Sequence, residues 1–223
     1  MDKDRPHLRE DEVYLGNARL PTAAATRSKF ARLFTDPSFA WRALRYACGM
    51  PVRMQTEDRR VLESVIFPYL AALPKIHNVL FVGCDWYTKH YGRTFFKSKN
   101  YWTIDFSAKA QKFGAPQHVH APLEQLAQYF PEAYFDLIIC NGVYGFGLDA
   151  PEQCEAAFQQ CYLRLASGGY FAFGWNDIPA RDPVPLAQIA AFDRFQRHTV
   201  QPLGSWRYLT DTPYRHTYDF YRK

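Results

Sequence analysis

The sequence has no Cys-x-x-Cys pair, no Gly-x-Gly-x-x-Gly and no apolar run long enough to cross a bilayer. Each absence removes a class of protein. Five cysteines without paired spacing argue against a disulfide framework and a structural zinc site. They are read as buried, reduced thiols of a cytoplasmic protein. A spanning helix needs about 20 apolar residues, and the charged opening MDKDRPHLREDE lacks the apolar stretch of a secretory signal. No membrane partner is expected. The missing glycine triplet removes the turn on which a dinucleotide dehydrogenase holds its pyrophosphate. No repeat or low-complexity segment is present. The 27 Lys and Arg against 22 Asp and Glu leave a net +5, spread over 223 residues rather than gathered in a stripe. Nucleic acid is therefore not expected as a partner.

What is present is apolar and aromatic mass. Hydrophobic residues make up 48% of the chain and aromatic ones 17%, enough to bury a substantial core. Residues 1–25 are polar, and 26–50 read as two helical pieces broken at Asp36-Pro37. After Thr56 a cleaner helix is predicted: Val61, Leu62, Val65, Ile66, Tyr69, Leu70 and Leu73 share one face, and Pro74 stops it. Strand-like and helix-like stretches then alternate. NVLFVG (78–83), YWTIDF (101–106), QHVHA (117–121), FDLIICN (135–141) and GYFAFGW (169–175) read as strands. Helices are expected around 107–112, 122–130 and 150–166, the last opened by Asp149-Ala150-Pro151 and closed by Ser167-Gly168-Gly169. After a further helix at about 185–198, the runs 205–211 and 215–223 are close enough to pair as an antiparallel hairpin. The alternation implies an α/β fold, a doubly wound and mostly parallel sheet with a reversed C-terminal strand and an N-terminal helical extension. Two parts are expected: 1–74, polar segment and covering helices, and 75–223, the sheet domain.

In such a sheet, ligands sit beyond the carboxyl ends of the strands. The residues after the first strand are Gly83-Cys84-Asp85-Trp86-Tyr87. Asp105 follows the second, about 20 residues beyond Gly83, where an acid accepts hydrogen bonds from ribose hydroxyls. On spacing alone, Asp105 is equally a cap for the segment after it. His118 and His120 point to one side of a strand, but no nearby acid or cysteine completes a metal set. No metal is expected, and Cys84 and Cys140, at the ends of neighbouring strands, are read as packing.

The order of parts in residues 78–223 resembles the class I S-adenosylmethionine-dependent methyltransferases. VLFVGC matches the first glycine-bearing motif and TIDFS the ribose-binding acid. AYFDLIICNGVYGFGLD resembles the fourth-strand motif, LRLASGGYFAFGW the paired glycines and fifth strand, and the closing hairpin the reversed seventh strand. The resemblance implies a seven-stranded Rossmann-like sheet and S-adenosyl-L-methionine as cofactor. It implies Gly83 and Cys84 on the methionine side, Asp105 and Phe106 at ribose and adenine, and Pro122 and Leu123 at the adenine edge. Asn141 and Gly142 would lie under the methionine portion. The sequence departs from the pattern at three positions: Phe81 stands where the family has an acid, and Asp85 and Tyr87 where it has glycine. Asp85 is a candidate replacement for the missing acid, facing the methionine ammonium, or else a cap of the next helix. Tyr87 either roofs the cofactor or blocks it.

Methyl transfer from a sulfonium requires alignment and desolvation more than a strong base, and the sequence singles out no catalytic residue. Tyr144, Asn176, Asp177 and His90 are the weak candidates. The expected activity is methylation of a small molecule at oxygen, nitrogen or sulfur. The competing readings are a methyltransferase of protein or nucleic acid, which a basic rim including Lys89, Arg93, Lys97 and Lys99 would favour, a non-catalytic scaffold of the same fold, and an aminopropyl transferase using the decarboxylated cofactor.

Overall fold

Val79, Leu80, Phe81 and Val82 are all buried, and they alternate into two separate hydrophobic clusters, one on each face of the sheet. This is the behaviour expected of the central strand of a parallel sheet. The computed structural model describes residues 54–223 together with Trp41 and Leu44. The chain divides into two compact units, Met1–Met50 and Pro51–Lys223, and the description that follows is of the second. The expectations for residues 1–50 lie outside the described residues, apart from Trp41 and Leu44, which are helical and exposed.

The strands are β1 (Asn78–Val82), β2 (Asn100–Asp105), β3 (Gln117–His120), β4 (Phe135–Asn141), β5 (Leu165–Asn176), β6 (Gln196–Arg197), β7 (Arg207–Leu209) and β8 (His216–Arg222). Their order is β3-β2-β1-β4-β5-β8-β6, with β7 also paired to β8. β1 to β5 run parallel and β8 is antiparallel to its neighbours. The sheet has eight strands rather than the seven expected, because two short pieces, β6 and β7, share the outer edge of β8. Strand order reverses between β1 and β4, so a ligand site is expected beyond their carboxyl ends.

One face is covered by α1 (Glu57–Val61), a π turn (Leu62–Ile66), α2 (Phe67–Ala72) and α3 (Tyr91–Phe95). Pro68 has no N–H to give back to the preceding turn, and the chain widens into π geometry just before it. Val61, Leu62, Ile66, Phe67 and Leu70 pack with Val79, Phe81, Leu137 and Ile139. The helix ends at Ala72, since Leu73 before Pro74 is extended. The other face carries α4 (Pro151–Arg164), whose Cys154, Phe158 and Cys161 meet Leu80, Ile138 and Phe171. Asp149 does not cap α4: Ala150 is the N-cap, and the Asp149 carboxylate accepts from Gly147 N at 3.2 Å. α4 stops at Arg164, ahead of the expected Ser167-Gly168-Gly169.

Three expected helices are shorter and tighter. Gln111–Phe113 and Leu123–Gln128 are 3-10 turns. The segment expected as a helix at 185–198 is a pair of 3-10 turns, Leu186–Gln188 and Ala190–Arg194, followed by β6. Pro183 and Pro185 break its start. Phe192 and Phe195, three apart and so eclipsed in 3-10 geometry, both turn onto the sheet, with Phe192 4.7 Å from Phe158 and Phe195 5.1 Å from Phe171. No helix among the described residues is long and apolar enough to cross a membrane.

The reversed edge hangs on one buried acid. Asp219, wholly buried on β8, accepts from Arg207 Nε at 2.5 Å and Nη2 at 2.6 Å across the β7 ladder, and from Trp175 Nε1 at 3.2 Å on β5. Removing Arg207 strands a carboxylate with no access to water, the costly direction in which to break such a pair. Arg207→Ala is expected to lower the unfolding free energy by about 3 kcal/mol in urea titration. The double variant Arg207→Leu/Asp219→Leu, with no charge left to strand, is expected to recover most of it.

Candidate functional site

Beyond the carboxyl end of β1 the chain turns at Gly83, whose φ is +87°. A Cβ there would lie 2.8 Å from Val143 Cγ1 and 3.3 Å from Asn141 O, so the ends of β1 and β4 come together only because position 83 carries no side chain. Asp105 then fastens the turn. Its Oδ2 accepts from Cys84 N at 2.8 Å and its Oδ1 from Ser107 N at 2.7 Å. Asp105 therefore does not cap a helix; it ties the β1 turn to the end of β2.

A cavity of about 360 Å³ opens at this point. Of the residues predicted to hold a cofactor, Gly83, Asp105, Phe106, Pro122 and Leu123 line it. Phe106 is 56% exposed, an uncovered aromatic face on the cavity wall. Glu124 and Gln153 supply polar groups there that the sequence did not single out, and Val143, Leu148 and Ile104 supply apolar walls.

The other predicted residues do not line the cavity. Cys84 is half-buried, and burial, with Asp105 adding to it, raises its thiol to about 12, which keeps it protonated. Asp85 does not cap a helix either. It closes a small turn in which Thr88 Oγ1 accepts from Asp85 N at 3.0 Å, Thr88 N and Oγ1 donate to Asp85 O, and Asp85 Oδ1 accepts from Trp86 N at 2.6 Å. Burial raises the Asp85 carboxyl, with Asp105 adding to the effect, while the Trp86 N–H, Arg59 and Lys112 oppose it. Tyr87 is absent from the cavity wall. Its ring lies under the Arg59 guanidinium, 4.6 Å from Cζ to centroid, with its hydroxyl 3.4 Å from Nη2.

Arg59 is the residue that sequence reasoning missed. It is 7% exposed, and its Nη2 stands 3.9 Å from where a Cβ on Gly142 would be. Its Nε is 3.3 Å from Asp58 Oδ2, its Nη1 makes no close hydrogen bond, and the Tyr91 hydroxyl lies near enough to interact with the guanidinium. Asp58 accepts from the Tyr214 hydroxyl at 2.9 Å, and its backbone carbonyl from Tyr218 at 2.9 Å. Burial works against an ionised Asp58, but Arg59, His216 and hydrogen bonds outweigh it and hold the carboxyl low. A signal was available: Arg59, Leu62, Ile66 and Leu70 follow helical spacing, which puts an arginine on the buried face.

Asn141 ends β4 with its side chain over Gly174, where a Cβ would lie 1.9 Å from Asn141 Oδ1. Asn141 Oδ1 is 2.9 Å from His216 Nε2, and His216 Nδ1 is 2.6 Å from Asn176 Oδ1. Burial, and after it Arg59, push His216 well below its ordinary 6.5, against the pull of Asp58. A neutral imidazole donates at one nitrogen and accepts at the other, so one of the two amides turns its NH2 to the ring. Asn141 Nδ2 is the buried amide nitrogen left without a partner.

None of the weak catalytic candidates lines the cavity. Tyr144 is fully buried, its hydroxyl bound to Asp182 Oδ1 at 2.7 Å and to the Val184 carbonyl. His90 is buried 3.9 Å from Glu63. Asn176 is committed to His216, and Asp177 is at the surface, paired with Arg215 at 3.0 Å. His118 bonds Thr103 Oγ1 at 2.9 Å and His120 the Phe106 carbonyl at 3.0 Å, so the two serve different neighbours.

A doubly wound sheet with one reversed strand near its edge, and a cavity at the switch point between β1 and β4, defines the class I S-adenosylmethionine-dependent methyltransferase fold. A family model described as "Methyltransferase domain" matches residues 80–173. The match covers less than half of the chain, and the fold is one shared with solved S-adenosylmethionine-dependent methyltransferases. Among solved structures it is similar to the N-methyltransferase NodS from Bradyrhizobium japonicum WM9, at 16% identity and a TM-score of 0.56 over 75% of this chain and 96% of that one. A NodS complex with S-adenosyl-L-homocysteine aligns with a TM-score of 0.57 and 16% identity, covering 75% of this chain and 87% of that one. A TehB-like SAM-dependent methyltransferase from Corynebacterium glutamicum aligns with a TM-score of 0.52 and 15% identity, covering 85% and 97%. A search of curated proteins found no match.

A His216 that stays neutral in the fold makes stability pH-dependent. Below 6.5 the unfolded chain takes up a proton that the folded chain refuses, so this contribution is intact above 6.5 and is lost as the pH falls. Denaturant titrations between pH 7.5 and 5 are expected to show the stability gap between the native protein and His216→Gln narrowing by up to about 1.4 kcal/mol per pH unit below 6.5. A gap that widens instead would mean a charged His216 in the fold.

Proposed function

We propose that the protein transfers the methyl group of S-adenosyl-L-methionine to an oxygen, nitrogen or sulfur atom of a small molecule, with residues 75–223 as the transferring domain. The observation that carries this reading is the Asp105 carboxylate on the wall of a 360 Å³ cavity, between Gly83 and the exposed ring of Phe106. That combination suits an adenosine: an acid for two hydroxyls, an aromatic face for the base, and Glu124 to accept from an exocyclic amine. Cavities of this size suit small ligands. The fold likeness to NodS with S-adenosyl-L-homocysteine supports the same cofactor.

The residues present fit that cofactor. S-adenosylmethionine, when bound, supplies an activated methyl group on a sulfonium. Gly83 leaves the backbone bare where the ligand crosses from β1 to β4. Asp85 and Asp105 flank that crossing with negative charge, suited to a ligand bearing ammonium and sulfonium. Asn141, Gly142 and Cys84 would hold the amino-acid side, and the Tyr87 ring lies against Arg59 rather than on the cavity wall. Asn141, fixed by His216, which Asn176 holds from its other nitrogen, would align without taking a proton. An acceptor that loses its proton to solvent after transfer needs no base from the chain, in keeping with the burial of Tyr144 and His90.

A macromolecular acceptor is less well supported. Lys99 donates to Ile76 O at 2.7 Å, at the amino end of the sheet, opposite the cavity, so Lys97 and Lys99 do not rim its mouth. The free thiols of Cys84, Cys140, Cys154 and Cys161 accord with a reducing cytoplasmic setting.

Calorimetric titration with S-adenosylmethionine and S-adenosylhomocysteine tests the reading. Micromolar binding is expected, weakened about 10- to 100-fold in Asp105→Ala, the range for a lost charged hydrogen bond. Absence of binding at high micromolar ligand, in native protein and variant alike, would replace the enzyme with a scaffold.

A further inference from the structure

The outer edge of the sheet, beyond β8, carries cations in a regular row. β6 and β7 each pair with β8 on one side, and neither has a strand on the other. Arg197 lies opposite Tyr221, Arg207 opposite Asp219 and Leu209 opposite Thr217. Residues directly opposite one another in an antiparallel ladder share a face of the sheet. Arg197, Arg207 and Leu209 therefore all stand on the Tyr221 side, the side that α4 covers. Alternate residues of a strand are ~7 Å apart, and these three follow one another along β8 at that interval. All three are exposed.

Aromatic rings fix the guanidinium groups. Arg197 and Arg207 lie over the Trp206 ring, 4.2 and 4.7 Å from its centroid. Arg194 lies over Tyr162 at 4.1 Å, and Lys223 Nζ stands 4.8 Å from the same ring. A stacked guanidinium keeps its N–H edge free for a planar acceptor. The acids nearby do not occupy these edges. Asp219 is wholly buried and takes Nε and Nη2 of Arg207, leaving Nη1 outside that pair. Glu132 is paired with Arg164 at 3.7 Å. Asp193 is exposed next to Arg194 in sequence, yet among the described residues neither Arg194 nor Arg197 makes an ion pair.

The chemistry of the edge selects its occupant. A second copy of the chain would bring like charge against like. Single-stranded nucleic acid needs bare ring faces for its bases, whereas Trp206 and Tyr162 each already carry two cations. An extended acidic segment meets every demand. Laid along β6 and β7 as a further strand, it pairs its backbone with theirs and sets every second side chain on one face, at the interval of Arg197 and Arg207. We propose that this edge is a docking surface for an acidic, extended segment of another protein, held by strand addition and by carboxylates on Arg194, Arg197 and Arg207. β5 and β8 stand between the edge and β4, so docking there is independent of the cofactor reading.

Fluorescence anisotropy at low salt provides the test, with three labelled probes. One is a peptide alternating glutamate and threonine, one has the same composition with its glutamates in a single block, and one is an oligothymidylate of the same length. The native protein is expected to bind the alternating peptide about 10-fold more tightly than the block peptide, and added salt to weaken both. Arg197→Glu is expected to weaken the alternating peptide by about 10-fold or more. Arg197→Gln is expected to fall between the two, with circular dichroism unchanged in both variants. Lys97→Glu makes the same change of charge at an exposed residue just before β2, and is expected to have much the smaller effect. Equal losses in Arg197→Glu and Lys97→Glu would reduce the binding to net charge and overturn the docking surface, as would equal affinity for the two peptides. Tighter binding of the oligothymidylate overturns it too, and makes the edge a nucleic-acid surface. If the native protein does not bind the alternating peptide, the arginines serve only to guard the edge against strand pairing, and no acidic partner docks there.

Discussion

The site depends on the two hydrogen bonds into the Asp105 carboxylate. They come from Cys84 N and Ser107 N, and they hold the turn after β1 against the turn after β2. They act together with the Asp85–Thr88 turn and the Arg59–Tyr87 contact to fix the residues from Cys84 to Tyr87. A carboxylate offers about four lone-pair positions, and two are used here. Two remain, which is the number a pair of ribose hydroxyls requires. Building the turn and holding a ligand are therefore not alternatives for Asp105: one group can do both, because backbone N–H groups approach it from one side and the cavity opens on the other.

The central sheet was legible because both physical signals it rests on are local. Val79 to Val82 and Leu137 to Cys140 are unbroken apolar runs, buried on two faces, and turns with glycine or proline bound them. The short 3-10 turns were not legible. Phe192 and Phe195 look like the apolar face of a helix in sequence, but the rings of α4 and β5 set their geometry, and those lie far away in the chain. The candidate site divided in the same way. Gly83, Asp105 and Phe106 follow strand ends and could be read directly. His216 and Arg59 reach the site from β8 and α1, so only the folded chain brings them to Asn141 and Gly142.

The first turn departs from its family pattern in a connected way. Phe81, where an acid is usual, is wholly buried against Phe67 at 6.4 Å and Tyr91 at 5.4 Å, part of an aromatic cluster that also takes in Phe95 and Phe96. A carboxylate at that depth would have no water and no partner but the Tyr91 hydroxyl, which already donates to Glu63 at 3.2 Å. Asp58 pairs with Arg59 at 3.3 Å, and Asp85 also feels its charge. Tyr87 fills the space that a glycine would leave open, and what fills it carries a cation.

The charges account for why such a rearrangement is stable in the absence of ligand. Asp58 balances Arg59 at 3.3 Å, so the buried cation is not left alone. Asp85 and Asp105 repel one another, and burial together with that repulsion raises the Asp85 carboxyl. The site is thus short of positive charge near Gly83 and has spare donors at Arg59. The electrostatic pattern is more specific than the glycine at the turn, since glycine provides room for any ligand whereas fixed charges discriminate among them.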